Sequence, residues 1–210
     1  MSESGKIAGV ILAGGLATRM GGGDKALIEL GGRTLLERVI DRLAPQVGPM
    51  ALNANGDPAR FAAFGLPVIP DTVEGFAGPL AGILAGLRWA GRQGCTHVAS
   101  AAADTPFFPT DLVARLAEAA REEEKPIALA ATRDPERGLS DHPTFGLWPV
   151  ALAGDLQAWL ERGERKVVVW TRRHGAARAV FDEAGRYPFF NLNTPEDVAE
   201  AERLGRERSA

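Results

Sequence analysis

A single cysteine in 210 residues, Cys95, excludes an intramolecular disulfide and any Cys-x-x-Cys metal or redox pair. It begins an apolar segment, so it reads as a buried structural thiol rather than a nucleophile, and it suits a reducing, cytoplasmic setting. Long apolar runs are also missing: none approaches the ~20 residues of a membrane span. Met1 to Lys6, with one lysine and then a short apolar run, does not read as a signal peptide. Nor is there a surplus of charge. Lys and Arg number 24 against 27 Asp and Glu, net −3, so neither a nucleic acid nor a membrane surface is indicated as a partner. An anionic ligand must therefore be met by local cations. No internal repeat, heptad pattern or linker divides the chain, and residues 1–210 read as one α/β domain long enough to bury a sizeable core. With three histidines there is no Ser/His/Asp or Cys/His order and no His-x-x-x-His metal signature.

What the chain does have is the stretch Leu12 to Lys25, LAGGLATRMGGGDK. It holds five glycines, the cations Arg19 and Lys25, and no acid before Asp24. It follows Ile7–Ala13, a short apolar run that reads as a buried parallel strand. A glycine-rich loop leaving the first strand of an open α/β sheet is where such sheets bind ligands. Glycines let backbone N–H groups turn toward an anion, and Arg19 and Lys25 add charge suited to a polyphosphate. The P-loop pattern fails, because Lys25 follows Asp24 and precedes Ala26. The dinucleotide fingerprint cannot be placed from Gly14 onward. Taken alone, the stretch also reads as a surface loop with two solvated cations.

Apolar runs alternate with helical patterns along the chain. Helices are expected through Leu35–Leu43, Pro58–Phe64, Leu80–Leu87, Leu112–Ala120 and Leu152–Leu160, with a start at Thr194-Pro195-Glu196-Asp197. Strands are expected at Met50–Asn53, Pro67–Pro70, His97–Ala102, Pro126–Ala131, Thr144–Trp148 and Ala179–Phe181. Val167–Trp170 is ambiguous: its β-branched content favours a strand, its charged flanks a helix. The alternation predicts a Rossmann-like three-layer domain, a mostly parallel twisted sheet with helices on both faces.

Asp104 directly follows a predicted core strand. A carboxylate there projects toward the glycine loop and suits Mg²⁺, which takes one or two carboxylates with phosphates and waters. Asp before Thr-Pro is also ordinary turn chemistry. Asn53, Asn55 and Asp71 end two further strands; each fits a turn, and together they fit recognition of a base and ribose. Guanine, with its N1–H and exocyclic amine, needs acceptors such as oxygens near Asn53, Asp71 and Gly78. His142, in Asp141-His142-Pro143, fits either a structural or a ligand role. Arg165, Lys166, Arg172 and Arg173 form either a basic site or a solvated face. Asn191 and Asn193 either cap the last helix or face the cleft.

These motifs, in order and over nearly the whole chain, resemble the molybdenum cofactor guanylyltransferases. The most specific are Asn53, Asp71, Gly78-Pro79-Leu80-Ala81-Gly82 and Asn191-Leu192-Asn193-Thr194-Pro195-Glu196. Asp104-Thr105-Pro106, Asp141-His142-Pro143 and Gly163-Glu164-Arg165-Lys166 accompany them. Ala102-Ala103 stand where relatives often carry cysteine or glycine beside the aspartate. The resemblance implies transfer of GMP from MgGTP to molybdenum-molybdopterin, with release of pyrophosphate. It implies GTP contacts from Leu12, Ala13, Gly14, Gly15, Lys25, Asn53, Asp71, Gly78 and Asp104. Arg19, Lys25 and Asp104 would be catalytic, with Asp104 holding Mg²⁺ or, as a substitute, Mn²⁺. His142, Arg165, Asn191 and Asn193 would lie where the pterin arrives. The implied protein partners are the molybdate-inserting protein and molybdoenzyme apoproteins or their chaperones. Two alternatives share the fold: a cytidylyltransferase or sugar-phosphate nucleotidyltransferase, and a non-catalytic nucleotide or pterin carrier.

Overall fold

The computed structural model describes residues 6–14, 24–73, 78–134, 136, 138–182 and 188–207. Most of the glycine loop, with Gly15 and Arg19, lies outside the described residues. The chain runs through β1 (Ile7–Leu12), the hairpin β2 (Glu29–Leu30) and β3 (Arg33–Thr34), α1 (Leu35–Leu43), β4 (Met50–Asn53) and β5 (Val68–Ile69). It continues through α2 (Pro79–Arg92), β6 (His97–Ala102), α3 (Leu112–Glu122), β7 (Ile127–Asp134) and β8 (Gly138–Pro149). It ends with α4 (Ala153–Glu161), α5 (Val167–His174), β9 (Ala176–Val180) and α6 (Pro195–Glu207).

Seven strands form one sheet in the order β5-β4-β1-β6-β8-β7-β9. Neighbours are parallel except β8, which is antiparallel to both β6 and β7. The sheet is therefore mostly parallel, as expected.

Both faces are covered, so the central strands are apolar throughout rather than alternating with polar residues. Successive side chains of β1 go to opposite faces. Ile11 joins the core under α1 and α3, while Ala8 and Val10 join the core under α2, α4 and α5. The first of these faces is paved with alanines: Ala99 and Ala101 of β6, Ala128 and Ala130 of β7, Ala177 and Ala179 of β9. Their small side chains leave depth for a layer of Phe108, Phe145, Phe181 and Phe189, whose ring centroids lie 4.9–5.5 Å apart. Burying each such ring contributes about 1.5–3 kcal/mol.

On the other face, α2 lies unusually close to the sheet. A Cβ on Gly86 would sit 2.7 Å from Val10, and one on Gly82 would sit 2.2 Å from Asn53 Oδ1. Only glycine permits that approach.

Three expectations are sharpened by the structure. The expected helix at Pro58–Phe64 is 3-10, bounded by Asp57, whose carboxylate accepts from the Ala59 N–H, and by left-handed Gly65. The strand expected at Thr144–Trp148 is the central part of the much longer β8. Val167–Trp170 is helical: Val167, Trp170 and Thr171 are buried at helical spacing, and the Trp170 indole N–H donates to Asp155 Oδ1 at 2.9 Å. Packing of one face overrides the β-branched preference there. Among the described residues, no helix is long and apolar enough to cross a membrane.

Candidate active site

Four parallel strands end in register. Ile69, Asn53, Leu12 and Ala102 form one row across β5, β4, β1 and β6. Backbone bonds extend it by a residue, from Ala13 N to Asn53 O and from Ala103 N to Leu12 O. Two residues beyond that row, each strand delivers a functional position: Asp71, Asn55, Gly14 and Asp104. The carboxyl edge of a parallel sheet thus becomes the rim of a cleft of about 360 Å³. Its lining includes Leu12, Ala13, Gly14, Lys25, Asn53 and Asp104.

One end of the cleft is an amide–carboxylate cluster. Asn53 is 5% exposed, and its amide donates to Asp71 Oδ1 at 3.0 Å and to Ile69 O at 3.1 Å. Asn55 donates to Asp71 Oδ2 at 2.8 Å and accepts from the Asp71 N–H at 2.9 Å. Asp71 thus fixes both asparagines. Above them α2 begins at Gly78-Pro79, both in the lining, with no side-chain cap. An uncapped helix start offers N–H groups and the positive end of its dipole to an anion.

The other end holds charge. Lys25 lies at the start of the 3-10 turn Lys25–Leu27. Its Nζ pairs with Asp104 Oδ2 at 3.0 Å, and both side chains are mostly buried, at 15% and 23% exposure. Lys25 also donates to Asn193 Oδ1. Asp104 Oδ1 accepts from the Thr105 hydroxyl at 3.1 Å, and that hydroxyl lies 2.5 Å from Asn191 Oδ1. The Leu192 N–H donates to the Asp104 carbonyl at 2.9 Å. The segment at 191–193 is therefore clamped across the end of β6.

The alternatives left by the asparagines are resolved. Thr194 caps α6, accepting from the Asp197 N–H, while Asp197 Oδ2 accepts from the backbone of Asn193 and Thr194. The Asn191 and Asn193 side chains point instead at Thr105 and Lys25.

His142 and Arg165 are not among the lining residues. The His142 ring stacks on Phe189 with centroids 4.4 Å apart, and Nε2 lies 2.9 Å from Thr132 Oγ1. Burial lowers its pKa, partly opposed by the Asp141 carboxylate. Arg165 is exposed between α4 and α5.

Three positions escaped the sequence reading. Thr144 lines the cleft because β8 bulges. Gly146 pairs with Leu129 and His142 with Ala130, so residues 143–145 have no partners on β7. Proline inside a strand signals such a bulge, and Pro143 was that signal. The Thr144 carbonyl is held by the Ser100 hydroxyl at 2.8 Å, which also accepts from the Trp148 indole. Thr105 sits in plain view beside Asp104, yet nothing in a sequence shows that a hydroxyl is fully buried. Arg60 pairs with Asp24 at 3.2 Å and donates to Asn55 O, linking the end of the glycine loop to the asparagine cluster.

The MobA-like NTP transferase domain family matches residues 9–177. Over 201 residues the chain is 56% identical to a molybdenum cofactor guanylyltransferase of Bradyrhizobium sp. (strain ORS 278), covering 94% of this chain and 92% of that protein. Over 203 residues it is 50% identical to the molybdenum cofactor guanylyltransferase of Mesorhizobium japonicum, covering 94% and 95%. Among solved structures it is similar to molybdopterin-guanine dinucleotide biosynthesis protein A from Archaeoglobus fulgidus, with TM-score 0.75, 22% identity, and 95% and 99% of the two chains covered. A 4-diphosphocytidyl-2C-methyl-D-erythritol synthase from Anaerococcus prevotii gives TM-score 0.74 at 14% identity, with 96% of each chain covered. At those identities the structural likeness concerns the fold alone.

Proposed function

This chain belongs to the MobA-like NTP transferase family and, within it, to the molybdenum cofactor guanylyltransferases, and from that premise we propose that it transfers GMP from GTP to molybdenum-molybdopterin and releases pyrophosphate. The observation that carries the reading is the Lys25–Asp104 pair, set between an amide–carboxylate cluster suited to a base and an asparagine segment suited to an incoming substrate.

A phosphate oxygen of the pterin attacks the α-phosphorus of GTP. The bond to the bridging oxygen of the β-phosphate breaks, and pyrophosphate leaves with that electron pair. The second pKa of a phosphate monoester is about 6, so the nucleophile is already largely dianionic at neutral pH and needs little help from a base. The obstacle is the approach of two anions. Lys25, Arg19 of the glycine loop and the uncapped start of α2 supply positive charge on the nucleotide side. Leu12, Ala13, Gly14, Gly15, Asn53, Asp71 and Gly78 receive the rest of GTP. Asn191 and Asn193 receive the pterin, with His142 and Arg165, which do not line the cleft, assigned to the same substrate.

The donor set fits Mg²⁺ or Mn²⁺. Asp104 is a single, partly exposed carboxylate at a polyphosphate site, and no group of three His, Cys, Asp or Glu stands together among the described residues. Bound there, the ion would neutralise charge on the phosphates. The lone buried Cys95 and the use of GTP support a cytoplasmic setting. Delivery by the molybdate-inserting protein and hand-over to molybdoenzyme apoproteins or their chaperones belong to the same proposal.

The test is pyrophosphate release with molybdopterin as acceptor and GTP, CTP, UTP and ATP supplied in parallel. Release with GTP well above the others is expected. A preference for CTP would make the protein a cytidylyltransferase, and GTP binding with no release would make it a carrier.

A further inference from the structure

Thr105 is fully buried, and its hydroxyl stands between two acceptors, Asp104 Oδ1 at 3.1 Å and Asn191 Oδ1 at 2.5 Å. A hydroxyl has one proton to donate. It satisfies the carboxylate or the amide, not both at once. Asp104 belongs to the cation and nucleotide side of the cleft, and Asn191, 86 residues after Thr105 in the chain, to the side where the second substrate is received. The geometry points to Thr105 as a positioning residue that couples these two sides through a shared proton, a role that rests on the guanylyl-transfer reading.

The sign of the coupling follows from the competition. Asn191 draws the proton away from Asp104 and leaves Oδ1 with a lone pair for a cation. Without the Asn191 oxygen, the Thr105 hydroxyl donates to Asp104 Oδ1 and competes with a cation for that oxygen. Cation affinity at Asp104 therefore depends on the Asn191 side chain, which reaches the carboxylate through the Thr105 hydroxyl, and it does so only while residue 105 carries a hydroxyl. Coupling of this kind is reciprocal, so a cation on Asp104 also commits the proton to Asn191 and fixes that side chain.

The test is a double-mutant cycle read by Mn²⁺ binding, titrated by electron paramagnetic resonance with GTP present and no acceptor, so that no transfer occurs. Asn191→Ala is expected to weaken Mn²⁺ binding at least threefold in the wild-type background. In a Thr105→Val background the same change should alter it less than 1.5-fold, and in Thr105→Ser the full response should return. Thr105→Ala serves as the hydroxyl-free background if the valine variant does not fold. An equal effect of Asn191→Ala with and without the hydroxyl overturns the coupling. So does no effect in the wild-type background, which decides the matter whatever the fate of the Thr105 variants. A wild-type protein that binds no Mn²⁺ with GTP sinks the transferase reading itself, and the coupling with it.

Discussion

The half of the sheet formed by β5, β4, β1 and β6 presents its polar groups by repetition, whereas the half formed by β8, β7 and β9 does so by exception. In the first, four parallel strands stop at one level and each delivers a residue two positions later. In the second, the antiparallel strand β8 reaches the cleft through a bulge at residues 143–145, and the chain after β9 crosses to Asp104 with Asn191–Asn193. Regular geometry gives the nucleotide side a row of fixed groups. The irregular side depends on a few contacts far apart in sequence.

If the two sides divide the work in this way, substitutions should separate them. Asp104 lies at the boundary and should have the largest effect. Asp104→Asn keeps the shape, loses the charge that pairs with Lys25, and should lower kcat about a thousandfold while circular dichroism stays native. Near-normal turnover at limiting Mg²⁺ would remove Asp104 from the cation site. Lys25→Ala should follow at about a hundredfold in guanylyl transfer, or about 2.7 kcal/mol, with little change in pterin KM. A change below about threefold would mean that the ion pair with Asp104 is structural.

Gly82→Ala tests the regular side alone. An alanine in a helix is favoured over glycine by up to ~1 kcal/mol. Here the added methyl meets Asn53 at 2.2 Å and Leu12 at 2.8 Å, and such overpacking costs about 1–3 kcal/mol, so destabilisation should win. Asn53 must move, and the KM for GTP should rise roughly tenfold while the pterin KM stays put. Equal rises in both would erase the division.

The smallest effect is on the irregular side and concerns pH. His142 titrates below its ordinary value near 6.5 because it is buried, and His97 is shifted the same way. As pH falls below 6.5, the unfolded chain takes up these protons before the native protein does, so stability declines with falling pH. The decline levels off only below the native pKa. One such group contributes at most ~1.4 kcal/mol per pH unit. His142→Gln should flatten the urea-unfolding free energy between pH 6.5 and 5, leaving the part due to His97. An unchanged slope would show that His142 does not contribute.

The regular side was legible in the sequence because its signals are local. Apolar runs, glycines and strand-end polar residues sit within a few positions of one another, and Asn53, Asp71 and Asp104 all meet at one cleft. The irregular side was less so. Val167–Trp170 has the composition of a strand and becomes a helix because Trp170 finds Asp155. Thr144 reaches the cleft through a register shift that the pairing of β8 with β7 creates. Whether Asn191 and Asn193 capped a helix or faced the cleft depended on where β6 lay, and Thr194 with Asp197 already sufficed for the cap. The placement of Gly15 and Arg19 lies outside the described residues.

The clamp of Asn191–Asn193 over Asp104 also orders events on the ribosome. Chains emerge from the N-terminus, and β1, β4 and β6 are all made long before the asparagines appear. A chain that stops between residues 104 and 191 holds the residues of the row of strand ends and both members of the Lys25–Asp104 pair. It lacks the partner that holds Lys25 from the far side, and the oxygen that competes for the Thr105 proton. Only chains translated through residue 193 carry the whole clamp.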